Sequence, residues 1–273
     1  MLHWVVSEQD IIAAASRPVT PDDITGDLRR LGVRPGGVLL AHVAMSRVGW
    51  VVGGPVGMVR GLLEAVGRDG TLVMPTFSVE NSDPRHWQRP PVPEAWWPTI
   101  RQHMPPYDPL TSPCPRVGRV AEVLRTWPGA RRSGHPQQSV TAVGPLAEQV
   151  ASHHRLNGAF AADSPLGRLA DLDADVVRVG TDNNSTLHVA ECVSGWTDRV
   201  AKVPQGAAML VRGVRRWVSF DAAAEDDGDF RAIEAAFAET GGMAAGPVGS
   251  APSTLFRQKH LLDFAVAWMQ TRR

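Results

Sequence analysis

The sequence predicts an α/β protein, a sheet with helices on both faces and a long Pro- and Trp-rich loop over its site. Three observations predict it. Apolar, β-branched runs at 38–43, 71–78 and 174–179 have the length and composition of buried strands. Stretches of helical periodicity separate them, so the order helix, strand, loop, helix, strand points to a sheet with right-handed crossovers. At 273 residues the chain is long enough for one large domain or two small ones.

Residues 8–32 read as helix in two pieces. Ile11, Ile12 and Ala15 form an apolar stripe before Pro18; Thr20-Pro21-Asp22-Asp23 then caps a second piece carrying Ile24, Leu28 and Leu31, which Gly32 stops. A Gly36-Gly37 turn leads into the strand Val38-Leu39-Leu40-Ala41-His42-Val43. The glycine-bearing loop from Met45 to Pro55 opens a helix with Val56, Val59, Leu62, Leu63 and Val66, and amides at such a start receive anions. It has neither a Walker pattern nor a strict GxGxxG. Gly67 and Gly70 flank a turn into a second strand, Thr71 to Ser78.

From 79 to 117 the prolines running from Pro84 to Pro115 exclude long helices and central strands. Trp87, Trp96, Trp97 and Tyr107 alternate there with Glu80, Asp83, Glu94 and Asp108. So many large aromatics favour an ordered loop over a site rather than a linker, and aromatics with carboxylates suit a cationic ligand such as an amine-bearing sugar. Beyond it the pattern predicts a helix over 118–127, a strand over 140–143, a helix from Gly144-Pro145 through Leu146, Val150 and His154, and another opening at Ser164-Pro165.

The 174–179 strand ends in Gly180-Thr181-Asp182-Asn183-Asn184, a turn by composition, after which Ser185 or Thr186 caps a helix. His188 and Glu191 are three residues apart on its first turn and share a face. A carboxylate there orients the ring and stabilises an imidazolium, as a general-base histidine needs. A surface pair has the same spacing. The pair stands, however, at the carboxyl end of an inferred strand, where open α/β sheets place their sites. Lys202-Val203-Pro204 leads into strands at 208–212 and 215–220. These are closed by an acidic run, Asp221, Glu225, Asp226, Asp227 and Asp229, which is either a solvated loop or a lure for a polycation. Helices at 229–239 and 258–271 finish the chain.

Composition narrows the function classes. Lys plus Arg equals Asp plus Glu at 28 each, which argues against nucleic acid as a partner. No apolar run approaches the roughly 20 residues of a membrane span. Met1-Leu2-His3-Trp4 and the residues after it lack the character of a signal peptide. Cys114 and Cys192 cannot by themselves make a structural zinc cluster, and a reduced, cytoplasmic protein is expected.

Several blocks in order give the chain a resemblance to the aminoglycoside 3-N-acetyltransferases, from about Ile24 to Trp268. They are the Gly36-Gly37 strand ending at His42; Val48-Gly49 with Gly53-Gly54-Pro55; the run from Val66 to Ser78; Tyr107-Asp108-Pro109; the run from Pro128 to Pro136 with Ser139; Asp163-Ser164-Pro165; Thr186 to Glu191; and Gly246-Pro247-Val248-Gly249. The resemblance implies one domain over 1–273 in the family's own α/β architecture, with 79–117 as an inserted active-site loop region. It implies transfer of acetyl from acetyl-CoA, without a metal, to the 3-amino group of a 2-deoxystreptamine antibiotic, and hence antibiotic resistance. The catalytic histidine falls on His188, with Glu191 as its carboxylate, and no covalent enzyme intermediate is required. Contacts to the co-substrate fall on Met45, Ser46, Thr76, His135 and Ser139, with oxyanion donors near Thr76. Substrate carboxylates fall on Glu80, Asp83 and Asp221. Where family members often carry small hydroxyls after the strand-end histidine, this chain has Val43 and Ala44. The small-molecule aminoglycoside is the expected partner of a monomer or homodimer. Relatives acetylate other amines too. Two further readings stay open: a metal-dependent hydrolase built on His42, His135 and His188, and a non-catalytic protein that sequesters cationic sugars.

Overall fold

The computed structural model describes residues 7–273. Met1-Leu2-His3-Trp4, on which the expectation about a leader rests, lies outside the described residues. In chain order the elements are α1 (Glu8–Ala14), α2 (Pro21–Leu31), β1 (Val38–Val43), α3 (Gly54–Val66), β2 (Thr71–Pro75), α4 (Trp97–His103), α5 (Arg119–Arg125), β3 (Arg131–Arg132), β4 (Val140–Val143), α6 (Ala147–Ala151) and α7 (Pro165–Arg168). There follow β5 (Asp175–Val179), α8 (Thr186–Val193), α9 (Trp196–Arg199), β6 (Lys202–Val211), β7 (Val214–Ala223), α10 (Phe230–Glu239), β8 (Met243–Val248), β9 (Ala251–Arg257) and α11 (Gln258–Arg272).

Seven strands form one mixed sheet in the order β3-β4-β2-β1-β5-β9-β8. Only its centre is parallel, β1 lying between β2 and β5; β4, β3, β9 and β8 join antiparallel. Alternation along the strands explains why both faces are covered. Val38 and Leu40 of β1, with Val73 and Val176, pack into a core with Leu187, Ile233 and Leu261. Leu39 and Ala41, with Leu72 and Val177, pack into a second core with Ile24, Leu62 and Leu124. The helices on that second side cross closely at Gly61, where a Cβ would lie 2.7 Å from the Ile24 side chain.

Several sequence expectations are corrected. β2 ends at Pro75 rather than Ser78; Thr76 and Ser78 continue only as single amide bonds to the Ser139 and Gln137 carbonyls. α6 ends at Ala151 and does not reach His154, because Ser152 is extended and His153 turns left-handed with φ 49°. As its prolines require, the 79–117 segment holds no long helix among the described residues; α4 is short, with Pro98 in its first turn, where proline's missing N–H costs nothing. β6 and β7 run to ten residues each, enclosing Pro204 and Asp221, because a two-stranded ribbon leaves proline's missing donor on an open edge. β8 and β9, unforeseen, carry Pro247 on the edge strand and Pro252 at the start of β9, before its ladder with β5 begins, where a lost ladder bond is tolerated. Among the described residues no helix is long and apolar enough to cross a membrane.

Candidate active site

Asp175–Val179 carries the chain to the edge of the sheet, and Gly180 turns it there with φ 65°. Any larger residue would be strained by that φ, and its Cβ would come within 2.8 Å of the Arg47 Cβ. Ser185 holds the N-cap position of α8 but makes no side-chain cap bond; Asn184 Oδ1 accepts from the Thr186 amide at 3.2 Å. The Ser185 hydroxyl instead lies 3.2 Å from His42 Nε2, and the Thr186 hydroxyl is buried without a hydrogen-bond partner. From below, Glu234 accepts from Asn184 Nδ2 and Arg178 Nη1, both at 2.7 Å, which fixes the turn against α10.

The geometry on α8 fulfils the spacing. His188 Nδ1 lies 2.8 Å from Glu191 Oε2, the carboxylate being 2% exposed. Glu191 Oε1 accepts from Arg273 Nη1 at 2.7 Å and from the Asp226 amide at 3.2 Å. The imidazole stacks against Phe160, with Phe230 edge-on, each centroid 5.0 Å away. Both rings restrict rotation of the imidazole. Burial opposes the imidazolium, but the hydrogen bond to Glu191 and the charges of Glu225, Glu191 and Asp227 outweigh it, so His188 titrates above its ordinary 6.5. No described residue hydrogen-bonds its Nε2.

His188 lines a cavity of about 880 Å³ whose walls come from α8, α9, the 156–162 segment and the β6–β7 ribbon. That volume is within the range of small-molecule sites. Its charged lining is mainly acidic: Glu191, Asp198, Asp221 and Glu225 face it, with Lys202 as the one cation among the described lining residues. A basic ligand is therefore favoured electrostatically.

The other residues singled out by sequence divide clearly. His135 lines the cavity; its Nδ1 accepts from the Gln137 and Gln138 amides, and burial lowers it to about 4. Asp221 lines the cavity as well. Thr76 and Ser139 meet each other beneath the surface: Ser139 Oγ donates to the Thr76 carbonyl at 2.7 Å. The Thr76 amide is already bonded to the Ser139 carbonyl and its hydroxyl to Thr141, so Thr76 itself has no donor left for an oxyanion. Met45 and Ser46 sit in a single 3-10 turn after β1 and are absent from the cavity wall. Glu80 pairs with Arg116, and the buried Asp83 with Arg101 and Arg85; neither faces the cavity. His42, His135 and His188 do not converge. Their partners are Ser185, Leu156 and Glu191, and among the described residues no group of three His, Cys, Asp or Glu is placed to hold a metal. Sequence reasoning missed Phe160, Phe230 and Arg273, which no spacing rule connects to His188.

A family model described as aminoglycoside 3-N-acetyltransferase matches residues 40–270. The chain belongs to this family. An aminoglycoside N(3')-acetyltransferase-like protein of Bacillus subtilis, YokD, is 36% identical over 94% of this chain and 95% of its own. Aminoglycoside N(3)-acetyltransferase VIII of Streptomyces fradiae is 34% identical over 98% and 97% of the two chains. The crystal structure of YokD superposes with a TM-score of 0.90 at 34% identity, covering 97% of this chain and 98% of that one. The enzyme AAC-VIa bound to sisomicin gives 0.81 at 29%, over 94% and 99%. AAC-IIIb in its binary complex with CoASH gives 0.79 at 27%, over 94% and 98%. These structures share the mixed α/β architecture described above.

Proposed function

We propose that this chain transfers the acetyl group of acetyl-CoA to the 3-amino group of a 2-deoxystreptamine aminoglycoside, with His188 as general base and no covalent enzyme intermediate. The observation that carries the reading is the His188–Glu191 pair in an acidic cavity. Nδ1 is committed to a buried carboxylate, while Nε2 stays unengaged by any described residue. Membership of the family and the sisomicin and CoASH complexes of its neighbours support the same substrates.

A polyamine sugar reaches the cavity largely protonated, drawn by Asp198, Asp221 and Glu225. An ammonium has no lone pair, so Nε2 of neutral His188 removes one proton and the amine nitrogen bonds to the acetyl carbonyl carbon. As the carbon–sulfur bond breaks, the nitrogen gives up its second proton and the departing sulfur takes one, so the amide forms and CoA leaves as the thiol. Glu191 stabilises the imidazolium and keeps the ring in place, and Phe160 and Phe230 confine it further. Of the carboxylates given a substrate role by sequence, Asp221 keeps it in this reading, joined by Glu225 and Asp198. Acetylated drug and the resulting antibiotic resistance are the products.

The test is release of free thiol from acetyl-CoA with a panel of 2-deoxystreptamine aminoglycosides, the acetylated nitrogen being located by NMR. Acetyl at N3 is the expected result. CoA binding with silence across the panel overturns the substrate assignment and directs the search to other amines, whereas drug binding without thiol release overturns the transferase reading itself.

A further inference from the structure

We infer that Arg273 is a positioning residue of the site, the charge that lets Glu191 serve His188 without locking it as an imidazolium. The inference rests on His188 acting as general base.

A buried carboxylate demands a positive partner. If His188 were the only one, the pair would rest as an ion pair and the base would already hold the proton it must accept. Glu191 has a second partner. Arg273 Nη1 donates to Oε1 at 2.7 Å, on the carboxylate oxygen that His188 does not use. The guanidinium is 8% exposed, stacked over Trp196 at 4.6 Å, and its Nε donates to Asp229 Oδ2 at 2.7 Å. Its Nη2 donates to the Asp226 carbonyl at 2.8 Å, and the Asp226 amide in turn donates to Glu191. One side chain at the C-cap of α11 thus ties the dyad on α8 to the acidic loop before α10.

The surrounding charges give the sign. On the acidic side are Glu191 of α8, Glu225 and Asp227 of the loop, Asp229 under Arg273, Asp198 of α9 and Asp221 of β7; on the basic side are Arg273 and Lys202. His135, across the cavity, is held neutral by burial. Removing Arg273's charge leaves a more negative field, so His188 holds its proton to higher pH.

The experiment follows His188 by heteronuclear NMR titration in wild type, Arg273→Gln and Arg273→Lys, beside pH profiles of kcat/KM with acetyl-CoA and an aminoglycoside. Arg273→Gln keeps a donor and loses the charge. The expected result is a His188 titration about one unit higher, with a roughly tenfold loss of kcat/KM at pH 7 that recovers in alkali. Arg273→Lys, with the charge kept, is expected to titrate near wild type. An unmoved titration in Arg273→Gln, or an equal shift in Arg273→Lys, overturns the inference; if Arg273→Gln does not fold, the lysine variant alone decides. The NMR readout needs no turnover, so a wild type that consumes no acetyl-CoA sinks the transferase reading while the role of Arg273 is still measured.

Discussion

Arg178 and Glu234 form an ion pair at 2.7 Å, with side chains only 8% and 13% exposed, beneath the turn that starts α8. Glu234 also holds Asn184, whose other end caps the helix bearing His188. Glu234→Ala leaves a buried guanidinium without its carboxylate and is expected to cost about 3 kcal/mol. Urea unfolding measures this, and a midpoint equal to wild type refutes it. Turnover should fall in the same variant because the cap of α8 loosens.

His188→Ala should lose 10²-fold or more, roughly, in kcat, the usual share of a general base. Calorimetric binding of CoA should survive. Wild-type turnover in this variant would sink the mechanism.

Activity and the stability contributed by His188 should move oppositely with pH. The base works when neutral, so kcat/KM rises with pH through a titration lying above 6.5. A histidine raised in the folded state contributes stability that is complete below 6.5 and is lost as pH rises through the folded value. Comparing the melting of wild type and His188→Gln should show their gap narrowing between neutral and alkaline pH.

Acid should weaken the fold through three other histidines. Burial lowers His42 to about 3, His135 to about 4 and His154 to about 3, so the unfolded chain takes up protons that the folded chain refuses. Their contribution is complete above 6.5 and declines as pH falls from there. The urea midpoint should drop on acidification, less steeply in His154→Gln. Parallel slopes would contradict this.

Asp221→Asn and Glu225→Gln should raise the KM for a polycationic drug several-fold, with the effect fading at high salt. Asp83→Asn should act on stability instead, since Arg101 and Arg85 already occupy that carboxylate. A KM change in Asp83→Asn as large as in Asp221→Asn would reverse the assignment.

The contact between His188 and Glu191 was legible because helical spacing alone brings them together. Its surroundings were not. Arg273 reaches Glu191 across 82 residues and Phe160 reaches His188 through a loop, contacts that only tertiary packing creates. Central strands such as Val38–Val43 announced themselves because both faces are apolar. β8 and β9 stayed hidden since Gly246 and Pro247 lie on the edge strand β8 and Pro252 stands at the start of β9, before its pairing with β5 begins, places that accept residues a central strand would reject. Glu80 and Asp83 looked like substrate carboxylates in sequence, yet folding supplies each with an arginine.

The β6–β7 ribbon walls the cavity with Phe220 and Asp221, yet among the described residues it joins no strand of the seven-stranded sheet. Its ties run to loops instead: Ala208 to Tyr107 and Asn81, Gly206 to Gln137. Cavity wall and sheet scaffold are thereby separate in this protein. Substitutions that reshape the wall leave the two sheet cores untouched, so under the proposed function the drug spectrum drifts at little expense to folding.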